Sequence, residues 1–481
     1  MKIQFINALL GGDFSALDIG LTQLATVINK NTHHKASILD FTFHRRHWKK
    51  HLHQNIQRFK PDIIGMSCNT LYMQYVKTIA KEIKEHYNIP IVVGGYHASI
   101  HPLDTIKIPD IDFLIVGDAE FSLPKLLDRL EKGKTFFGIQ GLLYKEKGQV
   151  KGNKEGSFVK DIDHFPTPDW DLWKDLDKYF YYLGMLYVIG SRGCPYRCSY
   201  CDAVGIANSV KGSYFRMRDP RAYAREVAAL WKKYEKRGLR LIQMFDQVFT
   251  FNKKWVKEFC DEYKQLVDVE KYGFSTFARI DNLDKERLEM LGKAGCKILR
   301  VGIEAGNDFI RNTVYRKHIS KKQILDVFKI AKKEGVGFTA FYMLGGPGET
   351  RKTINETINL ARKLDAERSA FFVYKPFTQE GAEQVAQYGG IVDVERWKKA
   401  DNITFDAVIR LKDIGPVSVE LLQYKAYLLT FGKRLLKMIA RDKHKYFTRL
   451  GTYMIRGLND GLDPQYLLPY YHIYAHDWVK K

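Results

Sequence analysis

Short apolar runs and amphipathic stretches alternate along most of this 481-residue chain. Between residues 1 and 130, five runs rich in isoleucine and valine are separated by segments whose apolar residues recur every three or four positions. The runs are typical of buried strands, and the segments between them are typical of helices that cover a sheet. Strands that alternate with helices form parallel sheets. We therefore predict an α/β fold that begins with a doubly wound, Rossmann-like domain.

A second alternating block follows a polar stretch that contains Pro166 and Pro168. Its six strand-like runs, each followed by a helical stretch, predict a partial TIM-like (β/α)6 barrel with its active site at the carboxyl ends of the strands. Beyond the barrel the alternation stops, and the pattern is mostly helical. The predicted organisation is a Rossmann-like domain over residues 1–135, a linker over 136–184, a barrel over 185–392 and a helical, basic and aromatic-rich region over 393–481.

Composition argues against several protein classes. Six cysteines in 481 residues are too few for a secreted disulfide scaffold. No stretch approaches the roughly 18 apolar residues that a membrane span needs, and the first twenty residues meet glycine and aspartate too early for a signal peptide. We expect a reducing, cytoplasmic compartment. The net charge of +22 favours a polyanionic partner such as nucleic acid or an anionic membrane face, or is simply spread over solvated helix faces.

Three of the six cysteines, Cys194, Cys198 and Cys201, lie within eight residues, directly after the first predicted barrel strand. Thiolates are the soft ligands that iron–sulfur clusters require, and three of them would leave one iron open for a substrate or cofactor. The alternatives are a zinc knuckle or three unrelated loop thiols, but no second CxxC pair follows to complete a zinc site. The remaining cysteines are predicted to be buried core thiols: Cys68, Cys260 and Cys296.

The CxxxCxxC spacing, with Tyr200 before the last cysteine, resembles the signature of radical S-adenosylmethionine (SAM) enzymes. In that family three cysteines hold a 4Fe–4S cluster, and the open iron binds SAM through its amino and carboxylate groups. The resemblance implies that reduction splits the sulfonium and releases a 5′-deoxyadenosyl radical that abstracts hydrogen. It makes Cys194, Cys198 and Cys201 the catalytic cluster ligands, and it implies a reductant such as ferredoxin or flavodoxin.

Four later segments resemble strand ends of the same family, in the same order. They read MFDQVFTFN, FARID, VGIEAGND and MLGGPGET. Each is weak alone, since a Gly-Gly-Pro-Gly run is ordinarily only a turn, but their order after the cysteines makes them jointly specific. Together with Tyr200, the resemblance assigns the SAM pocket to Asp246, Arg279, Glu304, Gly345, Gly346, Pro347 and Gly348.

The N-terminal block resembles the cobalamin-binding domain of one subclass of these enzymes, through PDIIGMSCNT, IPIVVGGYHASIHP and DIDFLIVGDAE. Ligands of open parallel sheets bind beyond the carboxyl ends of the strands. The expected cobalamin cleft therefore comprises Ser67, Thr70, Gly94, Gly95, His97, Gly117 and Glu120. The Asp-x-His-x-x-Gly loop that ligates cobalt in classical methyl-carrying proteins is absent. We expect His97 to pack or form hydrogen bonds rather than ligate cobalt, and the alternative for the whole domain is a vestigial fold.

A basic amphipathic helix is predicted between Lys425 and Arg449, where eight lysines and arginines accompany one acid, Asp442. Its apolar face would carry Leu428, Phe431, Leu435, Met438 and Ile439, with Arg434, Lys437, Arg441 and Lys445 on the flank. Such a helix either lies on anionic lipid at the inner face of a membrane or packs on a core with its basic side solvated. The aromatic end of the chain is expected to pack over the barrel mouth. No RNA-recognition pattern occurs, so no nucleic-acid partner is expected.

The expected activity is radical modification of an unactivated carbon of a small molecule. The resemblance favours cobalamin-dependent C-methylation, and the basic helix and aromatic end favour an apolar substrate of lipid, isoprenoid or tetrapyrrole-like type. One alternative is cyclisation, rearrangement or other carbon–carbon bond formation without methyl transfer. The other is a non-catalytic iron–sulfur or SAM-binding protein at a membrane.

Overall fold

The computed structural model describes residues 1–11, 17–400, 404–441 and 443–471. The chain divides into two compact units. Within the described chain, the first unit comprises residues 1–183, 205–216 and 453–471, and the second comprises residues 184–204 and 217–452. The predicted domain boundaries remain predictions.

A seven-stranded sheet forms the first unit. Its strands are β1 (Lys2–Asn7), β2 (Lys35–Asp40), β3 (Ile63–Ser67), β4 (Ile91–Gly94), β5 (Phe113–Ile115), β6 (Leu142–Glu146) and β7 (Gln149–Gly152). The order across the sheet is β2-β1-β3-β4-β5-β6-β7, and the first five strands are parallel. Strand order reverses between β1 and β3, which is where doubly wound sheets bind ligands. The predicted Rossmann-like architecture is confirmed.

Helices join the first six strands of this sheet. They are α1 (Ile19–Asn31), α2 (Trp48–Phe59), α3 (Met73–His86), α4 (Tyr96–Ile100), α5 (Pro102–Ile106) and α6 (Ser122–Glu131), and α7 (Leu176–Tyr182) follows the sheet. Ile63, Ile64 and Met66 of β3 are all buried, because a parallel strand is covered on both faces. Val76 and Ile79 of α3 are fully buried in the same core.

Part of the predicted linker is regular structure. β6 and β7 form an antiparallel hairpin that extends the sheet beyond β5, with Tyr144 opposite Phe113. All four residues of β7 are exposed. A strand without a buried face has no alternation of apolar and polar residues, so the sequence pattern could not reveal it.

Short and long strands follow in the rest of the chain. They are β8 (Met185–Val188), β9 (Ser191–Arg192), β10 (Arg216–Met217), β11 (Leu241–Met244), β12 (Phe274–Ala278), β13 (Cys296–Glu304), β14 (Gly337–Leu344), β15 (Arg368–Val373), β16 (Ile391–Val392) and β17 (Ile409–Arg410). Six of them form one parallel sheet in the order β8-β11-β12-β13-β14-β15, so each strand lies beside the next long strand of the chain. This half-barrel confirms the predicted partial (β/α)6 architecture.

The α-helices of this part alternate with the strands or follow them, and most of them begin at a side-chain cap. They are α8 (Asp202–Ser209), α9 (Pro220–Tyr234), α10 (Lys253–Leu266), α11 (Lys285–Lys293), α12 (Lys321–Lys333), α13 (Arg351–Leu364), α14 (Gln379–Gln387), α15 (Val394–Lys399), α16 (Pro416–Arg441), α17 (Lys443–Asn459) and α18 (Pro464–Tyr470). Asp219 and Asn252 accept the hydrogen bonds that start α9 and α10, and Ser320 forms a reciprocal capping box at α12.

The long C-terminal helix α16 is apolar on two sides. Val419, Leu422 and Ala426 are buried, whereas Leu428, which the sequence placed on one continuous apolar face, is 72% exposed. The side chains of Arg434, Lys437, Met438, Arg441 and Lys445, the acid Asp442, and residues 472–481 of the aromatic end lie outside the described residues. Within the described chain, no helix combines the length and apolar character that a membrane span requires.

Candidate functional site

The three clustered cysteines lie on the loop between β9 and α8. Cys198 is buried, and Cys194 and Cys201 are half-buried. Burial raises the pKa of Cys201 to about 12, and burial also raises the pKa of Cys194. Thiols in such surroundings become thiolates only when a cation binds them. Three thiol donors on one short loop therefore fit an iron–sulfur cluster.

Arg279 lies directly beside one of these cysteines. Its Nη1 atom donates a hydrogen bond to the sulfur of Cys198 at 3.3 Å. Asp281 binds the guanidinium through two oxygens, at 3.0 and 3.1 Å, and the ring of Tyr196 lies 3.7 Å below its central carbon. These contacts fix the guanidinium so that it stabilises negative charge on the sulfur. The structure thus places the Arg279 guanidinium against the loop that carries the three cysteines. The assignment of Arg279 to the SAM pocket remains a prediction.

Tyr200, Glu304 and Lys317 form a compact polar group at the end of β13. Lys317 Nζ donates to Glu304 Oε1 at 2.8 Å and to the Tyr200 hydroxyl at 3.0 Å, and the Tyr200 hydroxyl donates to the same Glu304 oxygen at 2.9 Å. Glu304 and Lys317 are buried. The backbone of Glu304 is left-handed, with φ 65°, and a Cβ atom on Gly302 would lie 2.0 Å from Glu304 Oε1. The fold therefore makes room for this carboxylate.

Lys317 was not predicted from the sequence. The sequence around it matches no motif. A π-helical turn, Phe309–Val314, reverses the chain after β13 and so brings Lys317 back to Glu304. Burial and the Glu304 carboxylate raise the pKa of Tyr200 well above its usual value, so this tyrosine stays protonated and keeps a donor.

Asp246 has a different environment from the other predicted pocket residues. It is fully buried and accepts hydrogen bonds from the Gly190 amide at 3.0 Å, the Ser191 hydroxyl at 2.6 Å and the Tyr223 hydroxyl at 3.1 Å. Burial raises the pKa of Asp246 to about 6. These bonds fix the backbone that leads into the cysteine loop, so the structure gives Asp246 a positioning role. Its contact with SAM remains a prediction.

The predicted glycine-rich turn follows β14 and is folded around a buried acid. Gly345 and Gly348 have φ values of 81° and 72°, which glycine adopts without strain. The amides of Gly345 and Gly346 donate to Glu349 Oε2 at 2.7 and 3.0 Å. Burial raises the pKa of Glu349 to about 7. Pro347, the remaining predicted residue of the turn, is also buried.

Two buried polar atoms beside this turn have no partner within the described chain. They are Glu349 Oε1 and the hydroxyl oxygen of Tyr315. A Cβ atom on Gly346 would lie 2.0 Å from that hydroxyl, and the Tyr315 ring packs edge-on against Tyr200 at 5.4 Å. Buried polar atoms are seldom left without hydrogen bonds. The turn and its neighbours therefore fit a ligand with polar groups, such as the nucleoside and amino acid parts of SAM.

Five aromatic side chains follow one another along one side of the six-stranded sheet. Successive ring centroids of this aromatic belt, formed by Tyr187, Phe245, Phe277, Phe341 and Phe372, lie 4.7, 5.4, 6.1 and 5.8 Å apart. Phe245 is 36% exposed, and Phe277, Phe341 and Phe372 are half-buried. The belt was not predicted, because its members occur one per strand and form a pattern only when the strands pair.

In the first unit the predicted cleft residues after β3 and β4 lie together. Gly95 has φ 95°, and a Cβ atom there would lie 2.7 Å from the Ser67 hydroxyl. Gly94 ends β4 beside Ser67 of β3. His97 Nδ1 forms a hydrogen bond of 3.2 Å with the Thr70 hydroxyl, which agrees with the expectation that His97 forms hydrogen bonds. Burial, and then the neighbouring His101, lower the pKa of His97 to about 4, so its imidazole is neutral.

Gly117 and Glu120 follow the adjacent strand β5. The Gly117 amide donates to the Ser99 hydroxyl at 3.1 Å, which joins this turn to α4. Gly117 has φ 83°, and Glu120 is buried. The strand ends thus offer small residues and tight turns at the edge where a parallel sheet binds ligands. A cleft of this kind fits a large flat cofactor, and the assignment of its individual residues remains a prediction.

Two family models match the chain. The Radical SAM superfamily matches residues 188–361, which include the cysteine loop, and the B12 binding domain matches residues 6–127, which include the strand ends of the first unit. The chain belongs to the radical SAM enzymes that carry a B12-binding domain. The predicted family, fold class and enzyme class are therefore confirmed, and the cofactors of this radical SAM enzyme are a 4Fe–4S cluster, SAM and cobalamin.

The relatives of this radical SAM enzyme are named for more than one activity. It is 28% identical to an uncharacterised methyltransferase of Pyrococcus horikoshii, over 92% of this chain and 93% of the relative. It is 25% identical to the anaerobic magnesium-protoporphyrin IX monomethyl ester cyclase of Cereibacter sphaeroides, over 71% of this chain and 55% of that protein. The solved radical SAM methyltransferase TsrM of Kitasatospora setae, with tryptophan and a SAM analogue bound, superimposes with a TM-score of 0.68 at 18% identity, covering 88% of this chain and 82% of the other. This last likeness shows a common fold.

Proposed function

We propose that this radical SAM enzyme is a cobalamin-dependent methyltransferase that methylates an unactivated carbon of an apolar small molecule. The observation that carries the proposal is the loop of three clustered thiols at the end of the half-barrel, in one chain with a B12-binding domain. The name of the Pyrococcus relative, which this chain matches over 93% of its length, supports methyl transfer. The partly exposed aromatic belt supports an apolar substrate.

When the cofactors are bound, the cluster supplies the electron that splits SAM and cobalamin carries the methyl group. In this proposal Cys194, Cys198 and Cys201 hold the cluster, and the Arg279 N–H groups stabilise negative charge on Cys198. Lys317 uses two of its three N–H donors on Glu304 and Tyr200. The third N–H is available for the carboxylate of SAM.

The glycine-rich turn is proposed to receive the rest of SAM. Its left-handed glycines allow the backbone to approach a ligand closely, and the unpartnered Oε1 atom of Glu349 and hydroxyl of Tyr315 are available to a polar group. The aromatic belt holds the substrate by apolar contact and excludes water from the reacting carbon. In the first unit, Ser67, Gly94, Gly95 and Gly117 are proposed to border cobalamin, with His97 held by Thr70 rather than bound to cobalt.

The test is anaerobic reconstitution of the full chain with iron, sulfide and cobalamin, followed by SAM, a reductant such as flavodoxin, and a panel of apolar substrates. We expect about four irons and one corrinoid per chain, 5′-deoxyadenosine, and a product heavier by one methyl group. Cys198→Ala should abolish both products. Cys260→Ala, which removes a buried cysteine outside the loop, is the matched control and should keep both.

A second candidate is radical bond formation without methyl transfer. The cyclase relative favours it, although this chain spans only 55% of that protein. The two candidates differ in the mass of the product, because ring closure adds no methyl group. Formation of 5′-deoxyadenosine with no methylated product would refute the methyl-transfer proposal and support this one. A preparation that forms no 5′-deoxyadenosine at all would support a non-catalytic role.

Three further expectations concern the reductant, the location and the membrane contact of this protein. The natural reductant and cytoplasmic location remain predictions. Peripheral contact with an anionic membrane also remains a prediction, and the exposed side chains of Val417, Leu421, Tyr424 and Leu428 on α16 are compatible with it.

A further inference from the structure

A cation, Arg300, lies on β13 between the rings that the aromatic belt carries on the neighbouring strands. Its guanidinium carbon is 5.8 Å from the centroid of Phe277. We propose that Arg300 and the belt form the substrate site of this half-barrel, and that the substrate is a flat aromatic or conjugated molecule with a carboxylate. This inference rests on the proposed function and adds the chemical class of the substrate to it.

The belt lies on the uncovered side of the sheet rather than in its core. On β14, Ala340, Tyr342 and Leu344 point to the helix-covered side and are fully buried. Phe341 and Met343 alternate with them and are half-buried, as expected for side chains that point to opposite faces of a strand. A row of large apolar rings that are partly exposed to solvent is typical of a surface that binds another molecule.

The charge of Arg300 is not balanced by any described residue. Its Nε atom is buried without a hydrogen-bond partner, and no carboxylate of the described chain forms an ion pair with it. The half-buried guanidinium thus keeps an unpaired N–H donor, and a guanidinium binds a carboxylate through two parallel N–H donors. A ligand carboxylate is therefore the group that this position lacks.

The direction of β13 places the rest of the substrate toward the cluster loop. Arg300 and Gly302 point to the same face, and the Glu304 carboxylate occupies the space next to Gly302. The Tyr200–Glu304–Lys317 group therefore begins beside Gly302, two residues and roughly 7 Å along the strand from Arg300. An acid anchored at Arg300 holds the attached rings next to this group, where SAM is proposed to bind. Flat rings stack on Phe277 and Phe341 at this position.

The test compares two isosteric probes, 1-pyrenecarboxylate and 1-pyrenecarboxamide, in fluorescence titrations of the reconstituted holoenzyme. We expect the carboxylate to bind about tenfold more tightly than the amide, as a hydrogen-bonded ion pair allows. Arg300→Gln should remove this preference, and Arg300→Lys should keep part of it. Phe341→Leu should weaken both probes alike. Arg225→Gln, which removes an exposed arginine of α9 paired with Glu262, is the matched control and should change neither.

Three outcomes would overturn the proposal: equal binding of both probes by the wild type, an unchanged preference in Arg300→Gln, or no binding of either probe up to its solubility limit. If Arg300→Gln does not fold, as judged by thermal unfolding, the Arg300→Lys comparison decides. The titration needs no turnover. Its failure is therefore distinguishable from failure of the methyl-transfer proposal, which appears as 5′-deoxyadenosine without methylated product.

Discussion

At the scale of single residues, the charge balance of the candidate SAM site depends on Lys317. The Lys317 and Glu304 side chains are 7% and 9% exposed, so each charge has lost most of its hydration and depends on the other. Breaking such a pair by removing one partner is far more costly than replacing both. Because the two kinds of substitution differ in cost, a comparison of single and double variants distinguishes the contribution of the pair to stability from the proposed role of Lys317 in SAM binding.

We predict that Lys317→Met lowers the free energy of unfolding by about 3–5 kcal/mol, because the Glu304 carboxylate remains buried without its cation. The double variant Lys317→Met/Glu304→Gln should recover much of that loss, as measured by urea denaturation under anaerobic conditions. SAM affinity should stay low in both variants if Lys317 binds the SAM carboxylate. A double variant with wild-type SAM affinity would show that the lysine serves stability alone.

At the scale of elements, the glycine-rich turn after β14 depends on a close approach to Tyr315. Gly346 can have no side chain there, since a Cβ atom would lie 2.0 Å from the Tyr315 hydroxyl. The turn also bonds through two amides to Glu349, which begins the return toward α13. The conformation of the turn is thus fixed by two side chains outside it. Tyr315 precedes β14 in the chain, and Glu349 follows the turn.

We predict that Gly346→Ala weakens SAM binding at least about tenfold, because the turn must move away from Tyr315. Removing the hydroxyl in Gly346→Ala/Tyr315→Phe should restore part of the affinity, and Tyr315→Phe alone is the control. Equilibrium binding of radiolabelled SAM to the reconstituted protein measures the effect. Equal affinities in the wild type and Gly346→Ala would contradict the proposed place of the turn.

At the scale of the whole molecule, each unit carries a group whose pKa is shifted by burial, and the two shifts have opposite directions. In the second unit burial raises the pKa of Glu349 to about 7, so its stabilising contribution is complete below about pH 4.5 and is lost as the pH rises through 7. In the first unit burial lowers the pKa of His97 to about 4, so stability is lost as the pH falls from about 6.5 toward 4.

We predict that the difference in unfolding free energy between wild type and Glu349→Gln decreases as the pH rises from 4.5 to 7, by about 2–3 kcal/mol. The difference between wild type and His97→Asn should instead increase from pH 4 to 6.5, by about 1 kcal/mol because His97 is partly solvated. Differences are compared because Asp18 and Asp40, whose pKa values burial raises, add to the total. Parallel pH profiles for the two variants would contradict the assignment.

The sequence predicted the features of this protein that are local or periodic. The alternation of apolar runs predicted eleven strands that the structure contains, because a parallel strand buried on both faces is continuously apolar. The spacing of Cys194, Cys198 and Cys201 predicted the cluster loop, because the ligands come from one short segment. The glycines of the turn after β14 were recognisable because their backbone conformations need glycine.

Only the tertiary structure decided which distant residues meet. Lys317 reaches Glu304 through the fold after the π-helical turn, Arg279 reaches Cys198 from another strand, and the rings of the belt, with Arg300 among them, come from six strands that pair side by side. Asp246, which the sequence predicts in the SAM pocket, accepts hydrogen bonds from the start of the cysteine loop, and only the structure shows these contacts. The physical reason is that backbone propensity, burial pattern and ligand spacing act over a few residues, whereas charge compensation and ring packing depend on the register of neighbouring strands.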